Sequence, residues 1–223
     1  MSKVSKGYMG DVIGKLGPAV GRMWKGKNVM ASYQKNVTNP NTTAQQIIRA
    51  RFARIGRLAT SMLTAIRVGM ENAAKTMVIT ESNLFVKTNW GQVTAITPDD
   101  VSVNYSALKL TPDSAPLPEA TYGAVDYGTG THLHVECSLS GGQDQPGANA
   151  NDLVYMVCYC PDRNQTVLGS PSLRSAAKVS CNVPASWDGM ECHVYAFALG
   201  APVNTGMKNK TSITSYLGSG EVA

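Results

Sequence analysis

The chain has 223 residues and 43% apolar content, enough for one or two packed domains and too much for wholesale disorder. Its net charge of +5 is unevenly spread: up to Glu71 twelve basic residues face two acidic ones (+10), and beyond it eight face thirteen (−5). No stretch approaches the ~18 apolar residues of a membrane span, and the opening "GYMGDVIGKLG" is broken by glycine and charge where a secretory signal needs a continuous apolar core, so a chain made and kept in a cytoplasm is expected.

The first forty residues are punctuated by glycine. "AVGRMW" (19–24) and "NVMASY" (28–33) predict two short strands around Lys25-Gly26-Lys27, where glycine supplies the positive φ of a tight turn. A ribbon of this size is not stable alone. It is expected to lean on the following helix or on another chain, anchored by Met23, Trp24, Val29 and Tyr33.

The helix that follows is the clearest element. Pro40 and Asn41 close a loop, and Thr42 or Thr43 can cap, with Gln45 or Gln46 three residues on as capping-box partner. Ile48, Phe52, Ile55, Ala59, Met62 and Ile66 recur at steps of four and three, which at 100° per residue is one narrow stripe. Arg49, Arg51, Arg54, Arg57 and Arg67 fan across the opposite arc. The helix is expected to reach about Lys75, with Gly56 and Gly69 as its weak points.

A short second helix is expected from Ser82 or Asn83 in "SNLFVKTNW", strand in "TPDDVSVNYSALKL", and a proline-rich connection in "TPDSAPLPEATYG". The pattern then changes to period two: Leu133, Val135, Cys137 and Leu139 alternate with His132, His134, Glu136 and Ser138. "DLVYMVCYC", "AAKVSCNV", "ECHVYAFAL" and "TSITSYL" read as further strands without intervening helices, which predicts an antiparallel sandwich of immunoglobulin-like or fibronectin-III-like type over about residues 98–219. Tyr195 falls near a tyrosine-corner position. The expected fold is α+β: residues 1–97 carry a β-ribbon arm, a long basic amphipathic helix and a short second helix, and residues 98–223 carry the sandwich.

Catalytic patterns are not found. His132 and His134 share one strand face and His193 could join them from a partner strand, yet no carboxylate or cysteine is evident as a further zinc ligand, and exposed histidines are the expected reading. Cys137, Cys158, Cys160, Cys181 and Cys192 contain no Cys-x-x-Cys and fall in strands, which fits buried, reduced thiols, with no disulfide expected between Cys137 and Cys192. Asp99 and Asp100 begin a strand or turn and are followed by no ladder of calcium ligands. No phosphate loop, dinucleotide fingerprint or nucleophile elbow appears. No enzyme activity, metal or cofactor is expected. The arginine helix admits three readings: a solvated face, phosphate contacts to nucleic acid, or bidentate docking on carboxylates of a neighbour. Docking is the preferred one, through Arg49, Arg51, Arg54 and Arg57.

"GKLGPAVGRMWKGKNVM", followed by "NPNTTAQQIIRARF" and a long helix, resembles the opening of an uncharacterised domain family abundant in Bacteroidetes genomes, and similar openings occur in tailed-phage and prophage proteins. "VPASWDGMECHVYAF" and "SITSYLG" resemble the family's closing strands, so the resemblance spans nearly the whole chain. The family brings no activity and no catalytic residues. The phage association implies a multi-copy virion component (head-decoration, connector or tail-associated) that contacts other copies of itself and other virion proteins and assembles in the host cytoplasm. The alternatives are a cytoplasmic nucleic-acid-binding protein using the basic first third, and a carbohydrate-binding or adhesive sandwich. Trp187 is the sandwich segment's one tryptophan, which counts against the last.

Overall fold

The computed structural model describes residues 3–4, 11–24, 26–36, 40–128, 134–140 and 145–222; His132, Leu133 and Lys25 lie outside them. The chain forms two compact units, Met1–Thr42 and Thr43–Ala223. The division therefore falls at residue 42, and the helices belong with the sheets that follow them instead of with the ribbon.

The first unit is antiparallel throughout: β1 (Lys3–Val4), β2 (Val12–Leu16), β3 (Ala19–Trp24) and β4 (Lys27–Ser32) pair in chain order. The expected β3–β4 hairpin is present, with Trp24 opposite Lys27 and Gly26 at φ 75° in the turn. Strand β2, inside the stretch read only as glycine-punctuated, makes this a three-stranded sheet to which β1 adds two residues. At Gly21 a Cβ would lie 2.0 Å from the Val12 carbonyl oxygen, so β2 crosses directly over β3 and only glycine fits there.

The second unit begins with α1 (Thr43–Ser61), α2 (Leu63–Met77) and α3 (Glu81–Asn89). The long helix expected to Lys75 is there, bent at Met62 (φ −89°, ψ 11°) and not at either glycine. Main-chain bonds from Met62 N to Leu58 O and from Ile66 N to Met62 O, both 2.9 Å, carry the ladder through the bend. Thr60 and Ser61 just before it donate their hydroxyls back to Gly56 O and Leu58 O, a pattern that bends helices. Helix α3 starts at Glu81, one or two residues before the expected Ser82 or Asn83, because Thr80 is its cap: its hydroxyl accepts from Asn83 N at 3.2 Å.

The strands of this unit are β5 (Val93–Ala95), β6 (Val101–Val103), β7 (Tyr122–Asp126), β8 (His134–Leu139), β9 (Leu153–Cys160), β10 (Gln165–Leu168), β11 (Ser172–Leu173), β12 (Lys178–Asn182), β13 (Glu191–Leu199) and β14 (Ser215–Glu221). Of "TPDDVSVNYSALKL" only β6 is strand, and Tyr105–Ala107 is a single 3-10 turn. All pairings are antiparallel: β5 with β6; β12-β8-β7 in one sheet; β10-β9-β13-β14 in another, with β11 also on β9. Among the described residues the chain is thus α+β, with three helices and several antiparallel sheets, none closed into a barrel.

Alternation along β9 and β13 assigns each side chain to one of two cores. Met156, Cys158 and Cys160 of β9, with Cys192 and Val194 of β13, join Val135 and Cys137 of β8 and Val179 and Cys181 of β12 in one cluster. Val157 and Tyr159, with Tyr195 and Phe197, point the other way into a cluster with Ile55, Leu58, Met62, Ile66 and Met70 of the helices. The order is helices, then the β9–β13 sheet, then the β8 sheet. All five cysteines are free and buried. Tyr195 does not form a tyrosine corner; its hydroxyl donates to Tyr105 O at 2.8 Å, 90 residues away, on the helix-facing side.

Helix α2 approaches the backbone of residues 110–111 at Gly69, where a Cβ would lie 2.2 Å from the Leu110 carbonyl oxygen; at Gly56 it would meet open space. Gly69→Ala is therefore expected to destabilise by about 1–3 kcal/mol through overpacking, despite alanine's better helix propensity. Gly56→Ala should stabilise by about 0.5–1 kcal/mol. Thermal unfolding of the two variants should shift in opposite directions.

Candidate assembly interface

Register sorts the arm's side chains onto two faces. Lys15, Val20, Arg22, Trp24, Lys27, Val29 and Ala31 share one; Leu16, Ala19, Gly21, Met23, Asn28, Met30 and Ser32 share the other. The first carries three cations, and at its end Lys15 Nζ sits 4.0 Å from the centre of the Tyr33 ring. The second carries no charge. Of the expected anchors, Trp24, Val29 and Tyr33 therefore share the cationic face while Met23 lies on the neutral one. Trp24 is 57% exposed and Met23 43%. Among the described residues of the unit only Gly21 is buried, so the arm has no core of its own.

Helix α1 continues its apolar stripe beyond the core. Ile55 and Ala59 are buried, but Ile48 and Phe52 are more than half exposed. Phe52 lies against Trp90, with ring centres 6.5 Å apart. Arg51 and Arg54 do not project freely into solvent as the opposite-arc reading requires. Arg51 donates Nε to Val93 O at 2.8 Å and Nη2 to Trp90 O at 3.0 Å, and its guanidinium lies 4.5 Å from the centre of the Trp90 ring. Arg54 donates to the Tyr105 hydroxyl at 2.7 Å. Both bond into the segment after α3, which packs along this flank of α1. Arg57 is exposed on the same helix, and Arg49 is exposed with an interaction of its own. Within the arm, Met23 thus lies on the face opposite Trp24, Val29 and Tyr33, and within the second unit Arg51 and Arg54 bond inward while Arg49 and Arg57 are exposed. Periodicity missed Trp90 because it lies in a turn, and Lys15, Arg22 and Lys27 because their shared face exists only once the three-strand register is known.

Tyr105 joins α1 to the sheet. Its ring stacks on His193 at 4.4 Å and packs on Tyr159 at 5.7 Å. His193 is buried on β13, and its Nδ1 lies 3.0 Å from the Tyr216 hydroxyl. His134, in the other sheet, lies 3.5 Å from Glu136. These two histidines do not converge, and among the described residues no group of three metal-ligating side chains forms. Asp100 N bonds Thr97 O in a turn before β6, as expected. An open cleft of about 470 Å³ beside α2 is lined by Arg67, Glu71, Lys75, Tyr155 and Asn209, among others, with neither a hydroxyl nucleophile of Ser or Thr nor a thiol or imidazole on its wall. Its Lys75 and Glu71 pair at 2.6 Å, which raises the Lys75 pKa.

Fold and surface together define an α+β protein with a coreless strand arm and a two-core body. The chain belongs to the DUF6266 family, a family of unknown function, whose model matches residues 10–218 and so spans both units. No curated protein and no solved structure matches the chain.

Two outcomes follow from this geometry. Arg51→Ala should lower the stability of the isolated chain by about 1.5–3 kcal/mol, because charged hydrogen bonds to two carbonyls are lost. Arg57→Ala should stay within about 0.5 kcal/mol. Chemical denaturation of both variants distinguishes a helix flank that holds its own fold from one held for a neighbour. The second concerns pH. Desolvation lowers the His193 pKa, with Glu191 a smaller opposing influence. The folded state therefore prefers the neutral ring. That preference stabilises fully above the ordinary value of about 6.5 and is lost as pH falls through it toward the depressed folded value. Melting of the wild type and of His193→Gln between about pH 8 and about pH 5 should show the wild type losing more stability on the acid side.

Proposed function

We propose that this chain is a non-enzymatic structural protein present in several copies in a phage or prophage particle of Bacteroidetes, as a head-decoration, connector or tail-associated component. The observation that carries the reading is the arm: four short paired strands whose described residues form no core and leave Leu16, Met23 and Met30 exposed on one neutral face. A sheet this small gains independent stability only by covering such a face. In a multi-copy assembly the cover is a neighbouring copy or another virion protein, and a contact repeated between unlike surfaces propagates through a particle. The exposed Ile48 and Phe52, with Arg49 and Arg57 beside them, offer a second contact area. No cofactor enters this reading, and the protein works in the virion after assembly in the host cytoplasm.

The body, on this reading, is a rigid module of immunoglobulin or fibronectin-III type. If β7, β8, β9, β10, β12, β13 and β14 are lettered A, B, C, C′, E, F and G, the two sheets become A-B-E and C′-C-F-G. That partition supports the assignment. An adhesive or carbohydrate-binding role has less support: Trp187 is buried at the turn before β13, its indole N–H donating to Gln165 Oε1 at 3.3 Å, and it offers no ring to a sugar.

Mass spectrometry of purified particles from a host whose prophage encodes the chain tests the proposal. Peptides of the protein are expected in stoichiometric, multi-copy amounts; particles that lack it in every preparation overturn the virion role.

A further inference from the structure

The arm's two faces differ in chemistry, and the neutral one alone suffices for packing against a protein neighbour. The other face needs a different account. Lys15, Arg22 and Lys27 share it with Trp24, and Tyr33 lies at its end under the Lys15 ammonium. Asp11, the only acidic residue among the first 42, stands before β2 and outside the β2-β3-β4 register. Cations at this density repel one another, and no carboxylate within the three-strand register offsets them. Trp24 and Tyr33, beside these cations, are 57% and 41% exposed. We propose that this face binds single-stranded nucleic acid.

The match is chemical. Single strands are taken up on small sheets by cations that track the phosphates and by aromatic rings on which unpaired bases stack. Both parts are present, in alternation. Trp24 stands at the hairpin tip, and Tyr33 stands at the other end, where its N–H donates to the Pro18 carbonyl. The six residue steps from Pro18 to Trp24 span about 20 Å at strand rise. Between the rings lie Arg22 and Val20, with Lys15 and Lys27 at the margins. A duplex keeps its bases stacked on each other and can use only the cations. An acidic protein surface would likewise use the cations and leave the rings without a specific partner. The proposal does not rest on the virion reading: a cytoplasmic protein with this face would bind the same ligand.

The experiment uses the full chain and a fluorescently labelled oligothymidylate of about 15 nucleotides, within the ~4–16-nucleotide range of small sheet platforms. Anisotropy is read at about 50 mM and about 200 mM salt. Three neutralised phosphates at ~0.7 each predict a log–log slope near about −2, a fall in affinity of about 20-fold between the two conditions. Trp24→Ala should weaken binding roughly 5- to 100-fold, and Trp24→Phe, which keeps a stacking ring, should retain most of it. Arg22→Gln should make the slope shallower by about 0.7. Lys208→Gln, an exposed cation of the body, should change nothing. No binding at the lower salt overturns the proposal. So does a Trp24→Phe variant as weak as Trp24→Ala, and so does a duplex of the same length binding as tightly as the single strand. Competition by polyglutamate as effective as by unlabelled oligonucleotide would assign the face to an acidic protein instead.

Discussion

The β9–β13 strand pair is covered on both faces, and most of the second unit follows from that. A sheet with one face in water can alternate apolar and polar residues. A sheet covered twice cannot, and "LVYMVCYC" and "CHVYAFAL" are accordingly almost continuous apolar runs. Odd positions from Tyr155 to Tyr159 and from Tyr195 to Phe197 carry aromatic or branched side chains toward the helices. Even positions carry Met156, Cys158, Cys160, Cys192 and Val194 toward the second sheet, where smaller groups fit between closely spaced layers. The thiols are there as compact apolar groups. Burial raises the Cys137 pKa to about 11, which keeps it protonated and unreactive near neutrality.

Polar anchors then fix what the two cores leave loose. Tyr105 receives Arg54 from the helix and Tyr195 from the sheet, and stacks on His193, so one 3-10 turn couples three elements. Asn89 works similarly at the end of α3: its amide donates to Phe85 O and Lys109 O, and its carbonyl accepts from Lys109 N. Arg174 is fully buried 3.7 Å from Asp152 and donates to the Pro118 carbonyl, while Asp152 accepts from Ala201 N and Asn204. That buried pair secures the proline-rich connection and two loops at once. A pair of this kind adds little net stability over an apolar substitute, but loss of either partner strands a buried charge. Its contribution is to specify which loop goes where.

Local chemistry explains which parts of this were legible beforehand. The hairpin around Gly26, the stripe from Ile55 to Ile66, the alternation of β8 and the apolar runs of β9 and β13 depend on neighbours a few residues apart, and they read correctly from sequence. The bend at Met62 escaped because it arises from hydroxyl back-bonding by Thr60 and Ser61, whereas the glycines at 56 and 69 looked weaker. The domain boundary at 42 escaped because it depends on the far side of a sheet: only when β9 and β13 need a second cover do the helices become part of the body. The roles of Arg51 and Arg54 were obscured for the same reason. A helical wheel has one apolar stripe and assigns everything else to solvent, while here a second flank of α1 is covered by Trp90, Val93 and Tyr105, supplied from 39, 42 and 51 residues away.

This changes the meaning of the charge asymmetry. The +10 of the first third looked like one basic surface, with the arginines of α1 at its centre. Arg51 and Arg54 are engaged with carbonyls and a phenol of their own unit, which occupies guanidinium N–H donors that a partner would otherwise use. The arm is different. It holds seven basic residues against Asp11, a balance of +6 over residues 1–42, and its strand register gathers Lys15, Arg22 and Lys27 on one face beside Trp24. Charge that a fold does not use internally is what remains for recognition. In this chain it lies on the unit that has no core, and the same six-residue strands that cannot bury their own side chains are the ones that present them.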